Sequence, residues 1–195
     1  MVFALFTNLA LGAEAVPDVD TPLPPIDPDS KMRIAQHEIV VDLPLEAFHA
    51  YWKSRTLDQL AVQTDKIPRV VRTEIMRGET WSGVGTRRRV FLSDGSTATE
   101  EILADELTHF RYQVFGYTSA AARFVQYGVG EFVLAPLDDR RTQVTWTYKF
   151  RPRTVLGQLF LGGWVARNWS PWMEGYLANL KSGAEATRVS EVPTP

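Results

Sequence analysis

Residues 142–152 read TQVTWTYKFRP, a stretch in which Val144, Trp146, Tyr148 and Phe150 alternate with Gln143, Thr145, Thr147 and Lys149. Such period-two alternation is typical of a β-strand with one buried and one solvated face. The chain continues into residues 155–182, VLGQLFLGGWVARNWSPWMEGYLANLKS, which have the length and period of a helix that Pro171 should kink or restart. This junction decides the fold, because the aromatic sheet face needs a cover and this helix is the only long candidate.

The same alternation recurs upstream in short segments separated by turns. We predict further strands at 33–42, 70–81, 86–92, 97–106, 109–117 and 123–137, and short helices at 44–54 and 55–62. Asp94 and Gly95 form a strong hairpin signal, so consecutive strands should pair antiparallel. The prediction is an α+β fold: a curved antiparallel sheet of about seven strands wrapped on a long C-terminal helix, with two short helices after the first strand.

Composition excludes several functional classes. The chain has 195 residues, 45% hydrophobic and 23% charged, which is the balance of one globular domain. A formal net charge of −2 argues against nucleic-acid binding. The absence of cysteine excludes thiolate chemistry, and His37, His49 and His109 are too scattered for a metal signature. We therefore expect no metal and no cofactor.

The chain divides into four parts. Residues 1–15 are apolar and end in a small-x-small pattern, which suits a signal peptide, but they lack a basic start and are too short to span a bilayer. This leaves the location open, with the cytoplasm favoured over export. Residues 16–30 are rich in Pro and Asp and are interpreted as an extended linker. Residues 31–183 form the domain, and residues 184–195 are expected to be a disordered tail.

The order of elements resembles the START-like superfamily, also called SRPBCC or helix-grip, which includes Bet v 1. The stretches that carry the resemblance are 40–48 (VVDLPLEAF), 130–137 (GEFVLAPL), 142–148 (TQVTWTY) and 177–181 (LANLK). The branch that looks nearest is the bacterial polyketide cyclase/dehydrase-like group. The resemblance implies a deep cavity between sheet and helix that holds a hydrophobic small molecule. The superfamily has no short catalytic signature, so no catalytic residue is carried over.

Polar residues at inward strand positions are the candidate catalytic groups, because burying them is unfavourable without a partner. Strand parity places Arg88 with Val90 and Leu92, and places Glu100 with Ile102. A solvated Arg strand and the opposite register, with Glu101 inward, remain alternatives. Two further catalytic candidates come from the same argument about inward strand positions.

His37 is one of these, although a structural histidine is the competing interpretation, and Tyr112 is the other. In the cavity, Arg88 could hold an oxyanion or pair with Glu100, and Glu100 could serve as a general acid or base if burial raised its pKa.

Ligand-binding candidates are chosen by the same parity and by helical spacing. They are Phe110, Gln126, Phe132, Trp146 and Tyr148 on the strands, and Phe160 and Trp164 on the long helix. Gly128 and Gly130 are interpreted as a bulge or bend in a long strand. Trp169 and Trp172 flank Pro171 and could form an entrance rim or a homodimer contact.

Two functional classes follow from these residues, and a third is weaker. The leading hypothesis is a binder of a hydrophobic, aromatic or polycyclic small molecule that catalyses cofactor-independent cyclisation, dehydration or related lyase-type acid–base chemistry. The alternative is a non-catalytic carrier of lipid or another hydrophobic metabolite. The third class is an interaction module, in which tryptophan side chains would close the cavity.

Overall fold

Seven strands form one antiparallel sheet in the computed structural model, which describes residues 16–190. The strands are β1 (Arg33–Val41), β2 (Val70–Arg77), β3 (Arg87–Leu92), β4 (Thr97–Asp105), β5 (His109–Phe115), β6 (Val125–Pro136) and β7 (Thr142–Pro152). Their spatial order is β1-β7-β6-β5-β4-β3-β2, so the first strand closes the sheet beside the last. The predicted α+β helix-grip architecture is confirmed.

The helices are α1 (Leu45–Lys53), α2 (Leu57–Leu60), α3 (Val155–Trp164) and α4 (Ser170–Ser190). A π-helical turn, Val165–Trp169, joins α3 to α4 immediately before Pro171. Proline has no N–H to donate. In this wider turn, Ser170 N donates to the carbonyl of Val165, five residues earlier, so the helix continues without a hydrogen bond from Pro171. The predicted interruption at Pro171 therefore takes the form of a π turn rather than a new helix start. No helix within residues 16–190 combines the length and apolar character needed to cross a membrane.

The end of α4 differs from the prediction. The helix continues to Ser190, so residues 184–190 are helical rather than a disordered tail. Ala184 is fully buried against the core, which explains why the helix persists beyond residue 183. Residues 1–15, with the signal-peptide hypothesis, and residues 191–195 lie outside the described part of the chain.

The core lies between the inner face of the sheet and α4. Met173, Leu177 and Leu180 of α4 are almost completely buried. They share this layer with stacked rings of the sheet: the Phe132 and Trp146 centroids are 4.7 Å apart and their planes differ by 14°. The aromatic face predicted from residues 142–152 is therefore the face that the helix covers.

The outer face of the sheet carries a cover that the sequence did not predict. Residues 16–31, here called the N-terminal strap, lie across it instead of forming a free linker. Arg87 Nη1 donates to the carbonyls of Asp18, Val19 and Thr21 at 3.1, 2.9 and 2.8 Å. Under the strap, a second apolar cluster forms from Met32, Phe115, Tyr127 and Val129, with Leu23 packed against it.

Candidate ligand-binding cavity

A cavity of about 630 Å³ lies between the inner sheet face, α1, the π turn and α4. Its wall is rich in aromatic side chains: Trp52, Trp81, Phe110, Tyr112, Tyr117, Phe132, Trp146, Tyr148, Trp169, Trp172 and Tyr176. Several lining residues where α1 ends and in the β2–β3 loop are exposed, among them Ser54, Arg55 and Thr80. The cavity therefore opens to solvent between these two segments.

A buried ion pair lies in this aromatic wall. Arg88 on β3 and Glu100 on β4 are direct cross-strand partners. Arg88 Nε and Nη2 lie 2.7 and 2.6 Å from Glu100 Oε2, and both residues are 7% exposed. The Arg88 guanidinium also lies 3.9 Å from the centre of the Trp81 ring. Cation–π contact and the carboxylate together fix the guanidinium at the cavity surface.

The neighbouring pair explains why the register was ambiguous. Arg87 and Glu101, each one residue along from the cavity pair, form a matching ion pair on the outer face, with Nε–Oε2 at 2.7 Å. Both pairs are buried, since α4 and the cavity cover one side and the strap covers the other. The chain therefore buries both faces of β3, and the interpretation of a solvated arginine strand is wrong for Arg87 and Arg88.

Tyrosine hydroxyls are further polar groups in the cavity wall. Burial, and then the negative charge of Glu100, raise the pKa of Tyr112 well above its usual value of 10. Burial likewise raises the pKa of Tyr148, and it raises that of Tyr176 to about 12 although Trp52 Nε1 donates a hydrogen bond to its hydroxyl at 3.4 Å. These hydroxyls therefore stay protonated at neutral pH and are available as hydrogen-bond donors.

A polar latch fixes the loop at the cavity opening. Asp105, at the end of β4, accepts hydrogen bonds from Gly83 N at 2.7 Å and from Lys53 Nζ at 2.7 Å. Ser82 Oγ donates to the same carboxylate at 3.2 Å. Because Lys53 ends α1 and Gly83 follows Trp81, this carboxylate joins the two segments that border the opening.

Most of the residues predicted for the site line the cavity. These are Arg88, Glu100, Phe110, Tyr112, Phe132, Trp146 and Tyr148. Strand alternation predicted their inward orientation because β3, β4, β5, β6 and β7 keep their period over the stretches concerned.

Two predicted strand residues do not line the cavity. His37 lies on β1, where Nε2 is 2.7 Å from Ser170 Oγ and Nδ1 is 3.6 Å from Glu174 Oε1, so α4 covers it. The hydroxyl of Ser170, the first residue of α4, therefore forms a hydrogen bond with a side chain of β1. Gln126 is exposed because the register of β6 against β7 shifts between Val125 and Tyr127, which breaks the alternation at this residue.

The two predicted residues of α3 also lie outside the cavity. Phe160 is exposed beside Phe124, and Trp164 packs on Phe150 and Trp169. Gly157, Leu161 and Val165 of this segment are buried instead. Helical spacing identified the correct helix but the wrong stripe. The residues of α3 are apolar around most of its circumference, so spacing alone does not show which of them face the core.

Sequence reasoning missed six aromatic residues of the wall. Tyr176 lies three and four residues from Met173 and Leu180, so helical periodicity could have identified it. Trp172 was interpreted as a rim or dimer contact, yet it is 6% exposed and its Nε1 donates to the Val62 carbonyl at 2.8 Å. Trp81 lies in a loop and had no periodic signal. The other three are Trp52, Tyr117 and Trp169.

Among residues 16–190, no group of three or more His, Asp or Glu side chains is arranged to hold a metal ion. A model of the family described as polyketide cyclase / dehydrase and lipid transport matches residues 32–185. The chain belongs to this family. No match was found among curated protein sequences.

Solved structures share the fold of this polyketide cyclase/dehydrase family member at low identity. The Zhui aromatase/cyclase from Streptomyces sp. R1128 is 20% identical, with a TM-score of 0.59, over 83% of this chain and 99% of that one. Norcoclaurine synthase from Thalictrum flavum is 12% identical, with a TM-score of 0.59, over 80% and 96%. A protein from Nitrosospira multiformis is 19% identical, with a TM-score of 0.55, over 80% and 99%. These likenesses support the fold, and the family match supports a hydrophobic small molecule as the ligand class.

Proposed function

We propose that the cavity binds an aromatic or polycyclic small molecule and that Arg88 and Glu100 carry out cyclisation, dehydration or related lyase-type chemistry on it. The observation that carries this proposal is the buried Arg88–Glu100 pair in a wall that is mostly apolar and rich in aromatic rings. Apolar residues of similar volume would pack there without the desolvation penalty that a buried ion pair brings. Reaction chemistry gives a reason for the pair to be placed at the cavity surface.

The size and walls of the cavity support a ligand with fused rings. A volume of about 630 Å³ lies within the range of pockets that enclose drug-sized molecules. The wall rings stand at varied angles, for example 73° between Trp146 and Tyr148 and 14° between Phe132 and Trp146. Such walls offer both edge and face contacts to a flat ligand.

The ion pair has the polarity that an aldol-type ring closure needs. Both contacts of Arg88 are on Glu100 Oε2, which leaves Oε1 as the acceptor for a proton from a carbon between two carbonyl groups. The resulting enolate carbon attacks a second carbonyl, whose oxygen takes up the proton. Arg88 stabilises the negative oxygen in both states. Loss of that hydroxyl as water, together with a neighbouring proton, would complete the dehydration.

Tyr112 is the proposed donor to the leaving hydroxyl. Its raised pKa keeps the phenol protonated, and its ring lies on the same wall, on the strand next to Glu100. A neutral phenol in a dry cavity can donate a hydrogen bond without introducing a second negative charge beside Glu100.

The test compares Glu100→Gln with Glu101→Gln. Both substitutions remove a buried carboxylate from β4 beside an arginine of β3, but only Glu100 faces the cavity. Activity is followed by the ultraviolet absorbance of aromatic product from a linear poly-β-ketone thioester. Binding is followed by quenching of tryptophan fluorescence with 1,8-dihydroxyanthraquinone. We expect Glu100→Gln to lower turnover by roughly 10²–10⁴-fold while quencher affinity changes little.

Folding is controlled by urea unfolding of each variant, because removal of one partner from a buried pair is destabilising. Equal turnover in folded Glu100→Gln and wild-type protein would remove Glu100 from the mechanism. Arg88→Met combined with Glu100→Gln, which leaves no unpaired charge, tests the arginine in the same assay.

A carrier function is the second candidate, and the predominantly apolar wall favours it. Native mass spectrometry of purified protein mixed with a lipid and metabolite extract distinguishes the two functions. A carrier retains its ligand unchanged, whereas the proposed enzyme releases a product lighter by one water.

A further inference from the structure

An exposed apolar surface lies on α3, away from the cavity. Val155, Leu159 and Phe160 are 85%, 75% and 61% exposed, and Phe124 lies beside them with its ring 6.4 Å from that of Phe160. We call these four residues the α3 patch. The ten residues of α3, VLGQLFLGGW, include no charged side chain. Soluble proteins seldom leave neighbouring large apolar side chains this exposed unless they contact a partner or a membrane.

Arginines flank the patch on several sides. Arg123 lies over the Phe124 ring at 4.7 Å, and Arg33 Nε donates to the Gln158 carbonyl of α3 at 3.3 Å. The guanidinium of Arg167 lies over Gly163, since a Cβ built there would be 2.8 Å from Nη2. Within residues 16–190, none of these three arginines forms an ion pair.

The surrounding sequence is also free of acidic residues. No Asp or Glu occurs between Arg140 and Met173. Lys149 and Arg151 of this stretch are paired with Asp29 and Asp27 of the strap and add no free charge. The charge beside the patch is therefore that of Arg33, Arg123 and Arg167, which is positive in a chain whose formal net charge is −2. An apolar helix face with a cationic border matches the interface of an anionic bilayer, where acyl chains accept the apolar side chains and phosphates accept the guanidiniums.

We propose that the α3 patch docks the protein on the surface of an anionic lipid bilayer. Charge complementarity favours this occupant over a second copy of the chain. A symmetric dimer through the patch would place the three arginines of each copy against those of its partner. The proposal does not depend on what the cavity binds, because neither α3 nor Phe124 lines the cavity.

The test measures sedimentation of the full chain with sucrose-loaded vesicles. One set is phosphatidylcholine alone, and the other contains 30% phosphatidylglycerol. We expect binding to the anionic vesicles that weakens as salt is raised. Phe160→Glu should lower the partition coefficient roughly tenfold or more. The substitution removes a ring that would be buried in the bilayer, and its carboxylate is repelled by the anionic lipids. Arg123→Gln and Arg167→Gln should each lower it about fivefold on anionic vesicles only.

Leu137→Glu is the matched control. Leu137 is 46% exposed in the β6–β7 turn, at the opposite end of the sheet from α3, so its substitution should leave vesicle binding unchanged. Circular dichroism and the thermal midpoint verify that each variant is folded. Failure of the wild-type protein to bind anionic vesicles overturns the proposal, as does an equal loss in Phe160→Glu and Leu137→Glu. A dimer in light scattering that Phe160→Glu dissociates, without vesicle binding, assigns the patch to a second copy and also overturns it.

Discussion

At Gly130, the missing side chain allows the Tyr112 ring to lie against β6. A Cβ built on Gly130 would be 2.2 Å from Tyr112 Cζ, and one on Gly128 would be 2.7 Å from Tyr148 Cε1. Both distances are far below van der Waals contact. These glycines do not form a bulge, because the register shift lies at 125–127; instead they provide space for two cavity tyrosines.

Gly130→Ala should displace the Tyr112 ring and destabilise the protein by about 1–3 kcal/mol, as overpacking of a core does. Urea unfolding measures the loss. In a Tyr112→Leu background the same glycine substitution should be much less destabilising, because the clashing ring is gone. Strictly additive effects of the two substitutions would contradict this explanation.

At the level of elements, the Asp105 carboxylate connects α1, β4 and the β2–β3 loop. Burial alone would raise the pKa of Asp105, but the hydrogen bonds from Gly83 N and Lys53 outweigh it and lower that pKa below 3.8. A carboxyl group with a lowered native pKa stabilises the folded state above its unfolded pKa. Its contribution is lost as the pH falls through the native value.

Asp105→Asn should loosen the loop that carries Trp81. The asparagine can still accept from Gly83, but the charge opposite Lys53 is lost, so we expect a destabilisation of about 1–2 kcal/mol. Hydrogen exchange of residues 78–85 should quicken. Asp138→Asn, in the exposed β6–β7 turn, is the control and should leave this exchange unchanged. Unaltered exchange in Asp105→Asn would show that the latch does not hold the loop.

The elements differ in how well sequence patterns predict them. Strand β7 has the bounds predicted from the sequence, because side chains that alternate between core and solvent mark both its period and its face. The α3 stripe was misassigned because nearly all of its residues are apolar and the π turn changes the helical phase after Trp164. The inward position predicted for Gln126 is wrong for a related reason. A strict period of two does not allow for the register shift between Val125 and Tyr127.

For the whole molecule, the buried tyrosines make stability depend on alkaline pH. In the unfolded chain a tyrosine ionises near pH 10, whereas burial keeps Tyr112, Tyr148 and Tyr176 protonated at higher pH, with a pKa of about 12 for Tyr176. Groups whose native pKa is raised give their full stabilisation below pH 10. They lose it as the pH rises from there through the native values.

The free energy of unfolding should therefore fall above pH 10, by about 1.4 kcal/mol per pH unit for each such tyrosine. Urea unfolding between pH 8 and about pH 11.5 measures this slope. Tyr176→Phe should reduce the slope by the share of one tyrosine. A variant slope equal to that of the wild type would show that Tyr176 does not contribute.

The strap shows what a sequence pattern cannot convey about the whole molecule. Its prolines lack N–H donors, and this indicated a linker, but their carbonyls still accept: Gln113 Nε2 donates to Pro24 O at 2.8 Å. Asp27 and Asp29 contact Arg151 and Lys149 at 2.7 and 2.9 Å. The partners are far apart in the sequence, so no local pattern could join them.

The N-terminal strap determines where an expression clone of this protein should begin. The family match begins at residue 32, so an expression clone cut to that boundary would discard residues 16–31. The truncated product would present Phe115, Tyr127 and the Arg87 guanidinium to water on a face built to be enclosed. We expect the product of such a clone to aggregate or to be poorly soluble because of this cloning boundary. A longer insert that starts before Val16 avoids the problem.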